Sequence, residues 1–559
     1  MRSRKHCTSW KAIKTSISSI TRPGSSPASK KRMTITTANL SVHRPVKWPR
    51  SAALRLTPLA VAALLLSNQA WAQWRVIPTI QLRETYSDNA SNQADDQAHG
   101  SFISEAAPSL SITGTGPRLK VAASAEWRKF AYSNDDIGNT RNSDRRYQAV
   151  ANAIAVRDWL YVDTSASGSR QAVSAFGPLP NNSYTANNGT DIRTWSISPY
   201  VRHQFGTTAT LNARYQRDSV EGGTGSGFGN SLASTGAFDV ASGPAFPDLG
   251  WNVHYSHQDM SAQRTGKTTN ENSLAGLQYR ATSHLSLTSS VGYDKYEYSA
   301  LSEKTSGRSW SAGFIWQPST RTRIAATVGH RYFGNTGSLD ASYRTPHTVW
   351  TVTYADIVTT SRQQFLLPAA VDTAAMLDQM LVSRYPDPVQ RQQIVQAYIA
   401  QAGLPPTLPS AIPYLSNRYM RNKRLQGGAT LRGARSTLLF TVFKERMNAL
   451  SLQQEDSTLL PSQLSSLNED TDQKGASASA DYKLSSRTSA HASLYGVNVK
   501  SLRTGVTNDV RQLSMGLSSR FDTKTTGSLD LRHSKGRAGV FDNRDYHENA
   551  IVATLTVQY

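Results

Sequence analysis

From Gln73 to the chain end, apolar and polar residues alternate with a period of two, the spacing of strands that separate two environments. Residues 551–559 show the pattern without a break. Ile551, Ala553, Leu555, Val557 and Tyr559 share one face, and Val552, Thr554, Thr556 and Gln558 share the other. A strand greasy on one side and mostly hydroxylated on the other suits a wall with lipid outside and water inside. Residues 273–293 repeat the theme as a hairpin. Ala275, Leu277, Tyr279 and Ala281 are followed, after a tight connection at 282–284, by Leu285, Leu287, Ser289, Val291 and Tyr293 on the same face. A second pair sets Leu513, Met515, Leu517, Ser519 and Phe521 against Gln512, Ser514, Gly516, Ser518 and Arg520, then turns at 522–525 into Gly527, Leu529 and Leu531. A soluble sandwich would carry charge on its polar face. Here that face is small and hydroxylated, as in a crowded wet lumen.

Connections alternate in length. Short turns are expected near 114–117, 157–158, 282–284, 318–322, 345–347, 485–487 and 522–525. Long polar loops are expected near 87–100, 132–144, 170–190, 220–230, 297–309, 448–473 and 535–547. Short turns on one rim and long loops on the other predict an all-β chain, one large antiparallel transmembrane barrel with its long loops outside the cell. The pattern gives about 22 strands, an even number as such barrels require. The Gly-rich piece before Gly243-Pro244 reads equally as strand or loop. Trp310 and Trp316, Trp350 and Tyr354, Tyr279 and Tyr293, and Trp195 and Tyr200 gather at strand ends, where aromatic rings form interfacial girdles.

One segment departs from the period. Over 372–403, Asp372 caps a turn leading into Ala374, Leu377, Met380 and Leu381. Asp387-Pro388 starts a second helix through Val389, Ile394, Tyr398 and Ile399, and Gly403 stops it. This helical hairpin sits in the longest connection, about 366–416, of a length that is usually functional or disordered. Folding into the mouth, standing above it as a docking surface, and plain surface decoration are all open to it.

Charge changes the picture less than its total suggests. The 559 residues carry a formal +22. Residues 1–72 hold 13 of the 61 basic residues and none of the 39 acidic ones, which leaves 48 against 39, or +9, for the remainder. That excess is spread along the chain and does not read as nucleic-acid binding. The single cysteine, Cys7, lies in the leading part and leaves residues 73–559 without disulfides or thiolate metal sites. Lys47, Arg50 and Arg55, the apolar run 56–66, and Ala70 and Ala72 before Gln73 form a secretory signal with its cleavage site. Residues 33–72 are read as that signal. Residues 1–32 precede a plausible start at Met33, or else form a long basic leader. With 38% hydrophobic residues and mean hydropathy −0.46, and no apolar stretch of spanning length after 72, only a barrel accounts for a membrane location.

Candidate chemistry is thin. His533-Ser534 and the His254/His257 pair each fall on opposite strand faces, which argues against a base–nucleophile pair and a two-histidine metal site. His330 shares the face of Ile324, Ala326 and Val328. The glycine-rich run 222–229 lacks the Lys-Ser/Thr ending of a phosphate loop. Asp95-Asp96 and 134–136 are acidic loop pieces without a full calcium-ligand series, and Asp88-Asn89 suits a side-chain-closed turn. No catalytic residue, cofactor or metal is expected.

Two resemblances sharpen this. The ending Ile551, Ala553, Leu555, Val557, Tyr559 resembles the C-terminal signal by which the barrel-assembly machinery recognises outer-membrane barrels. Trp74-Arg75-Val76-Ile77-Pro78 with Glu84-Thr85-Tyr86-Ser87-Asp88-Asn89, Ser242-Gly243-Pro244 with Leu249-Gly250-Trp251, and residues 316–322, 329–334 and 354–356 together resemble the outer-membrane β-barrel family associated with PEP-CTERM protein sorting and exopolysaccharide gene clusters. The resemblance implies an outer-membrane location in a Gram-negative envelope, contact with lipid and lipopolysaccharide, and a link to polysaccharide export components. It carries over no catalytic residues. A non-enzymatic barrel for exopolysaccharide export or surface assembly is expected first. A general or substrate-specific porin is the alternative, and a lipid-modifying enzyme ranks below both.

Overall fold

The computed structural model describes residues 73–559 apart from 135–136, 139, 179–183, 186–187, 224–228, 264–265, 298–305, 367–410, 417 and 451–461. The strands are β1 (Gln73–Ser87), β2 (Ser101–Thr115), β3 (Leu119–Tyr132), β4 (Ser143–Val156), β5 (Leu160–Ala172), β6 (Gly189–Phe205) and β7 (Ala209–Gly222). Then come β8 (Ser231–Ser242), β9 (Leu249–Ala262), β10 (Gly266–Arg280), β11 (Leu285–Glu297), β12 (Ser306–Ser319), β13 (Thr322–Arg331), β14 (Gly334–Arg344) and β15 (Thr348–Thr359). The last are β16 (Met420–Arg432), β17 (Ser436–Ala449), β18 (Asp470–Lys483), β19 (Thr488–Ser501), β20 (Thr507–Arg520), β21 (Thr525–Arg537) and β22 (Asp545–Gln558).

Each strand pairs antiparallel with the next, and β1 pairs with β22 from Thr79↔Gln558 to Ser87↔Ala550. The sheet therefore closes into one 22-stranded barrel, as the periodicity predicts. Closure satisfies the backbone of every strand within the sheet, which hydrocarbon demands.

The faces follow the alternation. Ile551, Leu555 and Tyr559 are exposed on the outer wall, while Val552 is buried on the inner one. Met515, Leu517, Leu529 and Leu531 also face out. Ser489–Ser518, Thr441–Ser477 and Ser290–Ser311 hydrogen-bond across strands on the inner face. Trp310, Trp316, Trp350, Tyr279 and Tyr293 are exposed outward near strand ends, as a lipid girdle requires. An outward apolar wall on a closed barrel places the protein in the outer membrane, spanning it with strands. Among the described residues no helix is long and apolar enough to cross a membrane.

The structure settles one open point and departs from the sequence reading in two details. The ambiguous Gly-rich piece is strand β8. Tyr200 does not join the girdle: its register opposite Arg214 and Tyr161 turns it into the lumen. Outer connections are not uniformly long. β13 and β14 meet through Tyr332 and Phe333 alone, because Gly334 takes φ +108°, a conformation closed to most side chains.

Two short helices are described, α1 (Ser361–Leu366) and α2 (Ser462–Asn468), with one 3-10 turn at Asp95–Gln97. The helical hairpin expected over 372–403 lies outside the described residues, as do the signal segment and its Ala70 and Ala72.

Candidate functional site

The site is the lumen, and in its extracellular half the chain's own loops pack against the inner wall. The connection after β5 runs inward through 173–178, and the connection before β16 runs inward through 411–416. Phe176, Ile412, Tyr414 and Leu467 of these loops and α2 are buried against Phe443, Met447, Tyr495, Val497, Val499 and Val510 of the wall. Those wall residues are inward-facing, so the outer halves of β17, β19 and β20 turn an apolar row inward while Lys444, Arg446, Asn498, Lys500, Asp509 and Arg511 face out. On the opposite side, Leu415 packs with Ile192 of β6 and Val220 of β7, joined by Phe365 and Leu366 of α1.

Buried amides fasten this plug. Gln473, fully buried on β18, accepts from the Ile412 N–H at 2.8 Å and donates to the Ile412 carbonyl at 3.0 Å. Asn468 accepts from Ser174 Oγ at 2.9 Å and donates to the Val173 and Leu415 carbonyls at 3.2 Å each. Asn508 of β20 donates to the Ala175 and Gly177 carbonyls. Each amide holds loop backbone that sits away from water, where an unpaired polar group would cost about 1–3 kcal/mol.

Ion pairs complete the fastening. Arg362 of α1, which follows β15, reaches the inward Asp218 of β7 and donates to Ser231 Oγ of β8 at 2.9 Å. Side-chain exposure of that pair is 5% and 1%. Arg418 and Arg503 both meet Glu469, at 3.0 and 2.7 Å. Near the closing seam the buried Glu548 accepts from Ser87 Oγ at 2.9 Å, Tyr184 OH at 3.1 Å and Arg532 at 2.8 Å. Burial pushes the hydroxyl of the loop residue Tyr184 well above its ordinary range, so it serves as a donor throughout the working pH range.

The periplasmic half differs. Inward residues such as Gln148, Val150, Asn152 and Ser165 are exposed, so this half of the lumen is open to water. Its wall carries a polar and aromatic cluster at β5–β7. Tyr161 and Tyr200 stack at 5.1 Å and 16°, and the Arg214 guanidinium lies 4.0 Å from the Tyr200 ring centre. Arg214 also donates to Asp163 at 3.1 Å and Ser198 at 2.8 Å. Below it Arg75, Lys120, Arg202, Arg280 and Arg520 are inward, exposed and without an ion pair among the described residues.

The comparisons with known proteins can be set against this geometry. No family model matches the chain, and no curated protein is similar to it in sequence. The chain is similar in fold to the FrpB iron transporter from Neisseria meningitidis (F5-1 variant), at 10% identity and TM-score 0.45, with 89% of this chain and 84% of that one covered. It is similar to the ferric-catecholate import receptor Fiu from E. coli K12 at 9% identity and TM-score 0.45, covering 86% and 81%. The siderophore receptor PirA from Pseudomonas aeruginosa matches at 10% identity and TM-score 0.36, covering 87% and 80%. These likenesses concern the fold alone.

The residues singled out in sequence fall as follows. Ile551, Ala553 and Leu555 lie on the outer wall beside β1, with Tyr559 N–H bonded to the Pro78 carbonyl at the seam. His533 is exposed and bonded to Asn549, with Ser534 on the opposite face and buried. His254 faces in, against Asp239, and His257 faces out, against Asp259 and Glu271. His330 is outward beside Trp310. Asp95 and Asp96 bind His547 and Arg544 across the seam loops rather than standing free. Asp135, Asp136 and the middle of the 222–229 run lie outside the described residues. Asn89 closes its turn through Gln93, while Asp88 accepts from Asn549. The amides Gln473, Asn468 and Asn508 escaped sequence reading, since their partners are hundreds of residues away or in loops. The one available signal was apolarity on both faces at 438–443, broken only by Thr441.

Proposed function

We propose that this outer-membrane barrel is a non-enzymatic conduit in exopolysaccharide export or surface assembly, closed at rest by its own loops. The observation that carries the reading is the split lumen: a fastened apolar plug outside, and an open wall of hydroxyls, amides, tyrosines and arginines toward the periplasm. Stacked aromatic rings beside paired polar side chains suit the alternating apolar faces and hydroxyl edges of a sugar chain. The resemblance to the PEP-CTERM-associated barrels and the barrel-type C-terminal strand support the same reading. Its partners would then be lipopolysaccharide, the barrel-assembly machinery and polysaccharide export components.

Deleting the gene and assaying extracellular polysaccharide tests this. Loss of secreted polymer is the expected result, and unchanged secretion overturns the proposal. The second reading is a substrate-specific porin, which the water-open lower lumen favours. Planar-bilayer recording separates the two. A gated conduit shows a closed resting level, whereas a porin shows a steady open one.

A further inference from the structure

On the outer wall, the extracellular ends of β16 to β19 gather cations. Register sets them in two rows. The upper row runs Lys423↔Arg446↔Asp472↔Lys500 across the four strands. The lower row, two residues nearer the periplasm, runs Leu425↔Lys444↔Lys474↔Asn498. Two of these neighbours carry like charges: Lys423 opposite Arg446, and Lys444 opposite Lys474. Residues so placed have Cβ atoms about 4.5–5.5 Å apart, and like charges there destabilise a sheet. The protein offsets them incompletely. Asp356 is held by Arg421 at 2.8 and 2.7 Å, with Lys423 Nζ 3.9 Å away. Asp470 accepts from Asn448 and the Ala449 N–H, and Asp509 is taken by Arg511. Asp472 is one carboxylate set between Arg446 and Lys500. Lys444 and Lys474 are exposed, and among the described residues neither has an ion-pair partner. Elsewhere on the outer wall, Lys295 of β11 and Lys535 of β21 have theirs, Glu297 at 2.6 Å and Asp545 at 3.4 Å.

A row standing clear of the bilayer would be solvated and need no counter-charge. The lower row does not stand clear. Leu425, directly opposite Lys444, is exposed outward, and so is Val442, the next outward residue below Lys444. The row therefore lies where acyl chains give way to headgroups. Lysine stems can follow the hydrocarbon there and lift their ammonium groups into the headgroup layer.

We propose that this patch binds the phosphate groups of the lipid A part of lipopolysaccharide. Lys444 and Lys474 share one phosphate, and Lys423 and Arg446 reach it from the row above. Lipid A carries its phosphates directly over its acyl chains, so anion and hydrocarbon meet the wall at the height where Lys444 stands over Val442. A phosphate between two ammonium groups replaces their repulsion with two charge-assisted hydrogen bonds. Basic clusters beside a bilayer recognise anionic headgroups in this way. The inference needs only the outer-membrane placement and is independent of what the lumen passes.

The test titrates the full-length protein in detergent with bisphosphorylated lipid A, dephosphorylated lipid A, cardiolipin and inorganic phosphate. Native mass spectrometry counts the bound lipid. Bisphosphorylated lipid A should bind, weaken as salt rises, and lose about tenfold or more in affinity in K444Q/K474Q. K444R/K474R should keep the binding, since it preserves both charges. K295Q, which removes an outward cation already paired on the protein, should bind as wild type. Heat-modifiable migration verifies that each variant is a folded barrel. Unchanged affinity in K444Q/K474Q overturns the proposal. So does equal binding of dephosphorylated lipid A, which would reduce the contact to acyl chains. Equal binding of cardiolipin would make the patch a surface for any anionic lipid, and displacement of lipid A by inorganic phosphate at matched concentration would make it a free-anion site; either result overturns the proposal.

Discussion

In the extracellular half of the lumen, Arg83, Arg128, Arg331, Arg362, Arg418, Arg424 and Arg532 each meet a carboxylate. In the periplasmic half, Arg75, Arg202, Arg280 and Arg520 meet none among the described residues and stand in water. One sheet supplies both walls with the same residue type. Where loops exclude solvent, an unpaired guanidinium is costly, so each carries its counter-charge. Where the lumen is wet, solvation suffices, so guanidiniums stand there unpaired beside paired ones such as Arg214 with Asp163 and Arg323 with Asp340. The difference separates a part of the barrel from which loops exclude solvent from a part that water reaches.

The sharpest break of this contrast is Arg362→Ala. It strands Asp218, a carboxylate with 1% side-chain exposure, at about 3–5 kcal/mol. Single-channel conductance should rise as α1 leaves the wall; a variant as silent as wild type would show that α1 does not hold the mouth closed. Next, Met515→Arg sets a cation against the bilayer and should cost about 2–4 kcal/mol of barrel stability, whereas Ser514→Arg, facing the lumen, should be far milder. Urea unfolding in lipid vesicles reads both, and equal losses would refute the assignment of faces. Gln473→Leu should loosen the Ile412 clamp by about 1–3 kcal/mol. Faster hydrogen exchange at Ile412 with the barrel's unfolding midpoint little changed would place the effect in the plug.

The smallest effect concerns pH. Asp95 is held below the usual carboxylate range: burial pushes it up, and the side-chain and backbone hydrogen bonds from His547 more than offset that. A depressed folded value means the contribution is present above the ordinary value of 3.8 and is lost as pH falls through the lower folded value. Exchange protection of the 88–100 loop should therefore hold at pH 7 and fall as pH drops below about 4. In Asp95→Asn it should be weaker at pH 7 and lose that acid step. An acid step that persists in Asp95→Asn would assign it to another group.

How much was legible depended on the range of the interaction. Leu513, Met515 and Leu517 announce their face because a strand alternates with period two whatever its neighbours do. Tyr200 was misread since aromatic identity says nothing of parity when Ser198, Pro199 and Tyr200 can each be counted from a different strand start. Its lumenal place follows from pairing with Arg214 and Tyr161. The amide clamps had no local signature. Gln473 and Ile412 are 61 residues apart, and Asn508 and Ala175 are 333 apart.

Sequence alone determined the barrel, a strand number of about 22, its lipid-facing rows and the rim of short turns, because lipid on one side and water on the other impose a repeat that each strand must satisfy by itself. Only the tertiary structure decided that loops enter the mouth and which arginines are neutralised. Those depend on closure of the sheet, which brings distant segments to one cross-section and sets where water can reach.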